Sequence, residues 1–126
     1  MDKLISGVTT FMNPAGFVEQ HYIGAQTGRT VSTAVAADMK LVKKLQKQNK
    51  EALILVDLTE VTSTNLQSHK AAIKGMTIVP YRRVSIYGPL PLRILLNTLG
   101  IVADRHENVK AFATRSEAIE WLKKGS

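Results

Sequence analysis

Leu53-Ile54-Leu55-Val56-Asp57-Leu58 runs directly into Thr59-Glu60-Val61-Thr62-Ser63-Thr64-Asn65. The first six residues are apolar apart from one carboxylate, which reads as a strand covered on both faces, the kind found in parallel sheets flanked by helices. The hydroxyl-rich segment after it reads as the passage into a helix. Thr64-Asn65-Leu66-Gln67 has capping-box spacing, with the Thr64 hydroxyl accepting from a first-turn amide and Gln67 reaching back to the cap. A helix is therefore predicted from near Asn65. It presents Leu66, Ala72, Ile73 and Met76 to a core and stops before Pro80, because proline disfavours helical geometry in the residue preceding it.

Working outward, Ile5 to Met12 alternates loosely, Asn13-Pro14-Ala15-Gly16 supplies turn residues, and Phe17 to Ile23 is a second extended run. Phe17, Glu19, His21 and Ile23 share one face of it and Val18, Gln20 and Tyr22 the other, so a hairpin is expected. Gly24 to Thr30 reads as a loop. From about Val31 to Asn49 the period becomes helical, with Val31, Ala34, Val35, Val42 and Leu45 on one side and Lys40, Lys43, Lys44, Lys47 and Lys50 opposite.

Beyond Pro80, Val84-Ser85-Ile86-Tyr87 is a strand candidate and Gly88-Pro89-Leu90-Pro91 a turn. Pro91 suits a first helical turn and Gly100 a left-handed terminus, bracketing a helix rich in Leu92, Ile94, Leu95, Leu96 and Leu99. Ile101 to Asn108 is a polar connection and Val109 to Ala113 a short strand. Thr114-Arg115-Ser116-Glu117 is a second capping box, opening a helix whose buried stripe is Ala118, Ile119 and Leu122 beside Trp121. The fold class that follows is α/β: a mixed, mostly parallel five-stranded sheet with an N-terminal hairpin and four helices, forming one domain over residues 1–126.

Composition narrows the functions. The chain has 126 residues and 44% hydrophobic content, enough for a single core. It has no cysteine, which removes disulfides, thiol catalysis and cysteine-based metal sites. No apolar run approaches the roughly 18 residues that span a bilayer, and the start lacks the pattern of a secretory signal, so a cytoplasmic location is the expectation. The net charge of +7 creates a field attractive to anions. The lysine stripe nevertheless lacks the interleaved aromatic residues that stack bases, and it reads as a solvated helix face, so nucleic acid is disfavoured as a partner. His21, His69 and His106 sit on unrelated elements with no ligand spacing and no paired carboxylate beside them, so no metal, cofactor or catalytic residue is expected.

The order of elements, the junction from Asp57 to Asn65, and the closing stretch Phe112-Ala113-Thr114-Arg115-Ser116-Glu117-Ala118-Ile119-Glu120-Trp121-Leu122 together resemble the STAS superfamily, the fold of anti-sigma-factor antagonists. The closing stretch in particular resembles that of small bacterial STAS-like proteins related to the CRAL-TRIO lipid-transfer fold. The resemblance implies a non-enzymatic regulatory or protein-interaction module. Antagonists carry an Asp-Ser-Ser-Gly motif at the start of the helix after the central strand, with a serine that a partner kinase phosphorylates. Thr62-Ser63-Thr64-Asn65 stands there in this chain, so Ser63 matches the phospho-acceptor, while the aspartate and glycine of the motif are absent.

If the strands ending at Leu58, Tyr87 and Ala113 are parallel, their ends and the N-termini of the helices after them meet at one edge, where open α/β sheets place ligands. The residues expected to line this partner- or ligand-binding edge are Asp57, Thr59, Thr62, Ser63, Thr64, Gly88, Pro89, Arg93, Thr114 and Arg115. A protein partner is the first expectation. The alternative is a carrier of a small apolar or anionic ligand, with the leucine-rich helix Leu92 to Leu99 lining a cavity that opens at the same edge.

Overall fold

A computed structural model describes residues 7–124. The predicted hairpin is present. Strand β1 (Gly7–Asn13) runs antiparallel to β2 (Phe17–Ala25), with Asn13 opposite Phe17 and Met12 opposite Val18. Asn13 builds the turn: its carbonyl accepts from the Gly16 amide at 2.9 Å and its side chain from the Ala15 amide at 2.7 Å. Gly16 adopts φ +98°, a conformation open to glycine at little cost. Ile5, the start of the predicted first strand, lies outside the described residues.

Helix α1 (Gly28–Lys47) follows, then β3 (Leu53–Ser63), α2 (Leu66–Ile78), β4 (Arg83–Tyr87), α3 (Leu90–Val102), β5 (Val109–Phe112) and α4 (Arg115–Lys124). The sheet order is β1-β2-β3-β4-β5, and every pairing after the first is parallel. Their C-terminal ends therefore share an edge, and each of the four helices starts there.

Strand alternation divides the sheet between two cores. One face carries Val18, Ile54, Val56, Val84 and Ile86 against α1, α2 and α3. The other carries Phe17, Leu53, Leu55 and Tyr87 against Ala118 and Leu122 of α4 alone. Two polar groups tie α4 down: the Ser85 hydroxyl donates to the Ala118 carbonyl at 2.7 Å, and the Arg83 guanidinium donates to the Leu122 carbonyl. The lysines of the α1 stripe are all exposed, as its periodicity predicts.

Several local expectations are corrected. The segment from Gly24 is not a loop: β2 continues to Ala25, and α1 begins at Gly28 with Thr27 and Thr30 forming a reciprocal capping box. The central strand does not stop at Leu58 but continues to Ser63, because β2 is long enough to pair with it well past the end of β4. The cap of α2 is Asn65 rather than Thr64. Its side chain accepts from the Ser68 amide at 2.8 Å, and the Ser68 hydroxyl, not Gln67, accepts from the Asn65 amide at 3.0 Å. Gly100 lies inside α3 rather than at a left-handed end, and Asp104 adopts φ 60° instead. Leu66, expected in the core, is exposed.

Asn65→Ala removes the acceptor for the Ser68 amide at an exposed helix start. The expected cost is about 1 kcal/mol, measurable by urea denaturation, whereas Thr64→Ala should leave the cap intact.

Candidate functional site

The predicted edge divides into three parts. The first is a polar ring on the α4 face. Asp57 lies opposite Tyr87 in β4 and His21 in β2, which brings all three side chains to that face. His21 Nδ1 is 2.9 Å from Asp57 Oδ2 and His21 Nε2 is 2.7 Å from Glu19 Oε2. Both contacts are satisfied when both ring nitrogens carry protons. Arg115, the first residue of α4, grips the buried Glu19 with two nitrogens at 2.6 and 3.1 Å and donates to the Tyr87 hydroxyl at 3.0 Å. Tyr87 stands opposite Asp57 across the β3–β4 pairing, and the two interact electrostatically, which closes the ring. Phe11 of β1 stacks on the His21 ring, 5.9 Å between centroids.

The electrostatics follow from those contacts. The Arg115 hydrogen bonds dominate at Glu19 and, with help from Asn13 and His21 against the opposing effect of burial, hold its carboxyl down at about 2. Burial alone would raise Asp57, but hydrogen bonds from Thr59, together with Tyr87 and the charge of His21, leave it below the ordinary carboxylate range. Burial raises the Tyr87 phenol. Each member of the ring is held by another member, so the ring works as a brace joining β2, β3, β4 and the start of α4.

The second part is the pair of turns that start α3 and α4. Gly88 packs so closely on Leu58 that an added Cβ would stand 3.1 Å from the leucine Cβ. Arg93 Nε donates back to the Gly88 carbonyl at 3.0 Å, and the exposed Pro89 caps α3. Thr114 and Glu117 form the predicted capping box. The third part is the tip of the β2–β3 ribbon, with exposed Thr62 and Ser63 and half-buried Thr64. Ser63 lies six residues beyond Asp57, about 20 Å along an extended strand, so these hydroxyls stand apart from the polar ring. Thr64 Oγ1 is 2.8 Å from Nε2 of His69 on α2. Asp57, Thr59 and Arg115 are thus brought into one network, while Thr62, Ser63 and Thr64 belong to another place. Glu19, His21 and Tyr87 complete the ring without having been anticipated, and the expectation that no carboxylate flanks a histidine fails at His21. Among the described residues no cluster of His, Asp and Glu has the geometry to hold a metal ion.

Beneath α1, α2 and α3 lies a cavity of about 120 Å³. Its walls are largely apolar and include Val56, Met76, Leu92, Leu95, Leu96 and Leu99, so the leucine-rich helix lines it. A polar patch interrupts one wall. Asp38, on the buried stripe of α1, is 8% exposed, and its Oδ1 accepts from Gln20 Nε2 at 2.7 Å. The Gln20 carbonyl oxygen accepts from the Tyr22 hydroxyl at 3.1 Å. Burial lifts the Asp38 carboxyl to about 7, against the opposing Gln20 hydrogen bond. Burial, followed by the charge of Asp38, pushes the Tyr22 phenol well above its ordinary value.

No family model matches the sequence, and no curated protein matches it. Solved structures do. An uncharacterised protein of the DUF3478 family with a SpoIIAA-like fold, from Shewanella loihica PV-4, superposes with a TM-score of 0.69 over 97% of this chain and 98% of that one, at 17% identity. The anti-sigma factor antagonist SpoIIAA in its unphosphorylated form gives 0.56 over 95% and 99%, at 13% identity. The fold is therefore a SpoIIAA-like α/β fold, as anticipated from the order of elements. No helix among the described residues is long and apolar enough to cross a membrane.

Proposed function

We propose that this chain is a non-enzymatic, STAS-type regulatory module that docks a protein partner at the edge where its helices begin. The observation carrying this reading is the exposure there of three large apolar side chains. Leu66 at the start of α2 is 62% exposed, and Leu90 and Ile94 in the first turns of α3 are 55% and 58% exposed. Large apolar side chains left in water at the starts of two helices that pack on each other mark interaction surfaces. Thr62 and Ser63 border Leu66, so a phosphate on Ser63 would place about −1.5 to −2 charges beside that surface. One protein of the same fold is described as an anti-sigma factor antagonist in an unphosphorylated form, which supports a phospho-regulated docking role.

Two measurements test this. Incubation with ATP and kinases from the host lysate, followed by mass spectrometric mapping, should find a phosphate on Ser63; an unmodified Ser63 and Thr64 removes the regulatory element. A host protein retained by the wild type should be lost, by about tenfold or more, with the double variant Leu66→Asp, Leu90→Asp. Equal retention by that variant, with an unchanged circular dichroism spectrum, overturns the docking surface.

The cavity favours a second reading, in which the module carries a small apolar ligand. An engineered apolar cavity of about 150 Å³ admits benzene; the interior here, about 120 Å³, is a fifth smaller and fits a molecule of about four or five carbons.

A further inference from the structure

The polar patch in the cavity wall has a one-sided capacity for hydrogen bonds. The two protons of Gln20 Nε2 are shared among three acceptors, Asp38 Oδ1 at 2.7 Å and the Ala34 carbonyl and Thr10 Oγ1 at 3.2 Å each, and its Oε1 is taken by Tyr22. The Tyr22 proton is used in that bond. What remains is acceptor capacity: Asp38 Oδ2, which takes no hydrogen bond from any described residue, and the lone pairs of the Tyr22 oxygen. A nearly buried carboxylate has thus one amide partner and no counter-ion, in a wall that is largely apolar.

We infer that the cavity binds a small apolar molecule carrying a single hydrogen-bond-donating head group, a protonated amine in preference to an alcohol, with the head on Asp38 and the hydrocarbon among Leu92, Leu95, Leu96 and Leu99. This rests on the second reading above and specifies its ligand class. A cationic donor supplies both the missing hydrogen bond and the missing charge, and charge-assisted bonds of this kind are stronger than neutral ones. A ligand carboxylate brings a second acceptor and a like charge, so the ionised patch rejects it. The other titratable side chains lining the cavity are Tyr22, His69 and Tyr81. Tyr22 hydrogen-bonds Gln20 and His69 contacts Thr64. The Tyr81 hydroxyl donates to the Met76 carbonyl, and burial pushes its phenol up to about 12.

Isobutylamine, isobutanol and isovalerate provide the probes, titrated into ¹⁵N-labelled protein at pH 8 and pH 6 while the amides of Val56 and Leu95 are followed. At pH 8 the amine should bind about tenfold or more tighter than the carboxylate, with the alcohol between them. Towards pH 6, as Asp38 takes up its proton, the amine should weaken while the alcohol changes little. Asp38→Asn should reduce the amine to the level of the alcohol. If that variant does not fold, the pH series on the wild type decides. A carboxylate that binds as tightly as the amine at pH 8, or an amine indifferent to pH, overturns the head-group assignment while alcohol binding leaves the cavity reading standing. If none of the three probes moves those amides, both fall.

Discussion

Arg115→Ala should cost about 2 kcal/mol of folding stability at neutral pH, because it strips the bidentate partner from a carboxylate that stays buried. The figure sits below that for a fully buried pair because the arginine side chain is 41% exposed and partly screened. The pH dependence gives a sharper test. The folded-state pKa of Glu19, about 2, lies below its ordinary 4.5. The wild-type carboxylate therefore contributes stability that is fully present above about pH 4.5 and is lost as pH falls towards 2. Without Arg115 the two values converge. Stability of the variant, measured by denaturant titration at a series of pH values, should fall less steeply than wild type across that window. Parallel acid limbs would show that the ion pair does not govern Glu19.

Ile86→Ala should cost more, about 3 kcal/mol. Ile86, the penultimate residue of β4, is 2% exposed, and it borders the cavity. The lost methyl groups enlarge a space that already exists, so neighbours have little incentive to collapse into it. Equilibrium unfolding in urea reads this directly, and a loss below about 1 kcal/mol would mean that the wall relaxes. A conservative control is Ile86→Val, for which about 1 kcal/mol is expected.

The parallel sheet was legible because Leu53 to Leu58 is apolar on both faces and because turn residues and capping boxes punctuate the rest. The α2 cap was misassigned by one residue. Thr64…Gln67 and Asn65…Ser68 have the same spacing, and the hydroxyl of Ser68 closes the box as well as the glutamine template would. The extension of β3 had a faint signal in the β-branched Thr59, Val61 and Thr62, but it depends on β2 supplying a partner up to Ala25. Glu19 and His21 were placed on one strand face from alternation alone. Their meeting with Arg115, 96 residues from Glu19, needed the register of three strands and the docking of α4. Asp38 did leave a trace: it falls between Ala34 and Val42 in the apolar stripe of α1, where a carboxylate is out of character. Leu66 was misplaced because helical periodicity says which side chains share a face, not where the sheet stops beneath them.

The overrun of β2 and β3 past β4 has a mechanical consequence. The last pair of that ribbon, Ala25 and Ser63, is followed within two residues on each strand by a helix cap, Thr27 on one and Asn65 on the other. The Gln26 amide is fastened to the Ser63 carbonyl at 2.9 Å, and a Cβ on Gly28 would stand 3.2 Å from the Cβ of Gln67. Both helices therefore hang from a common pivot. The two rods that wall the internal chamber thus share a single anchorage at the outer tip, Val31 and Val35 of one and Ala72 and Met76 of the other facing the same interior space.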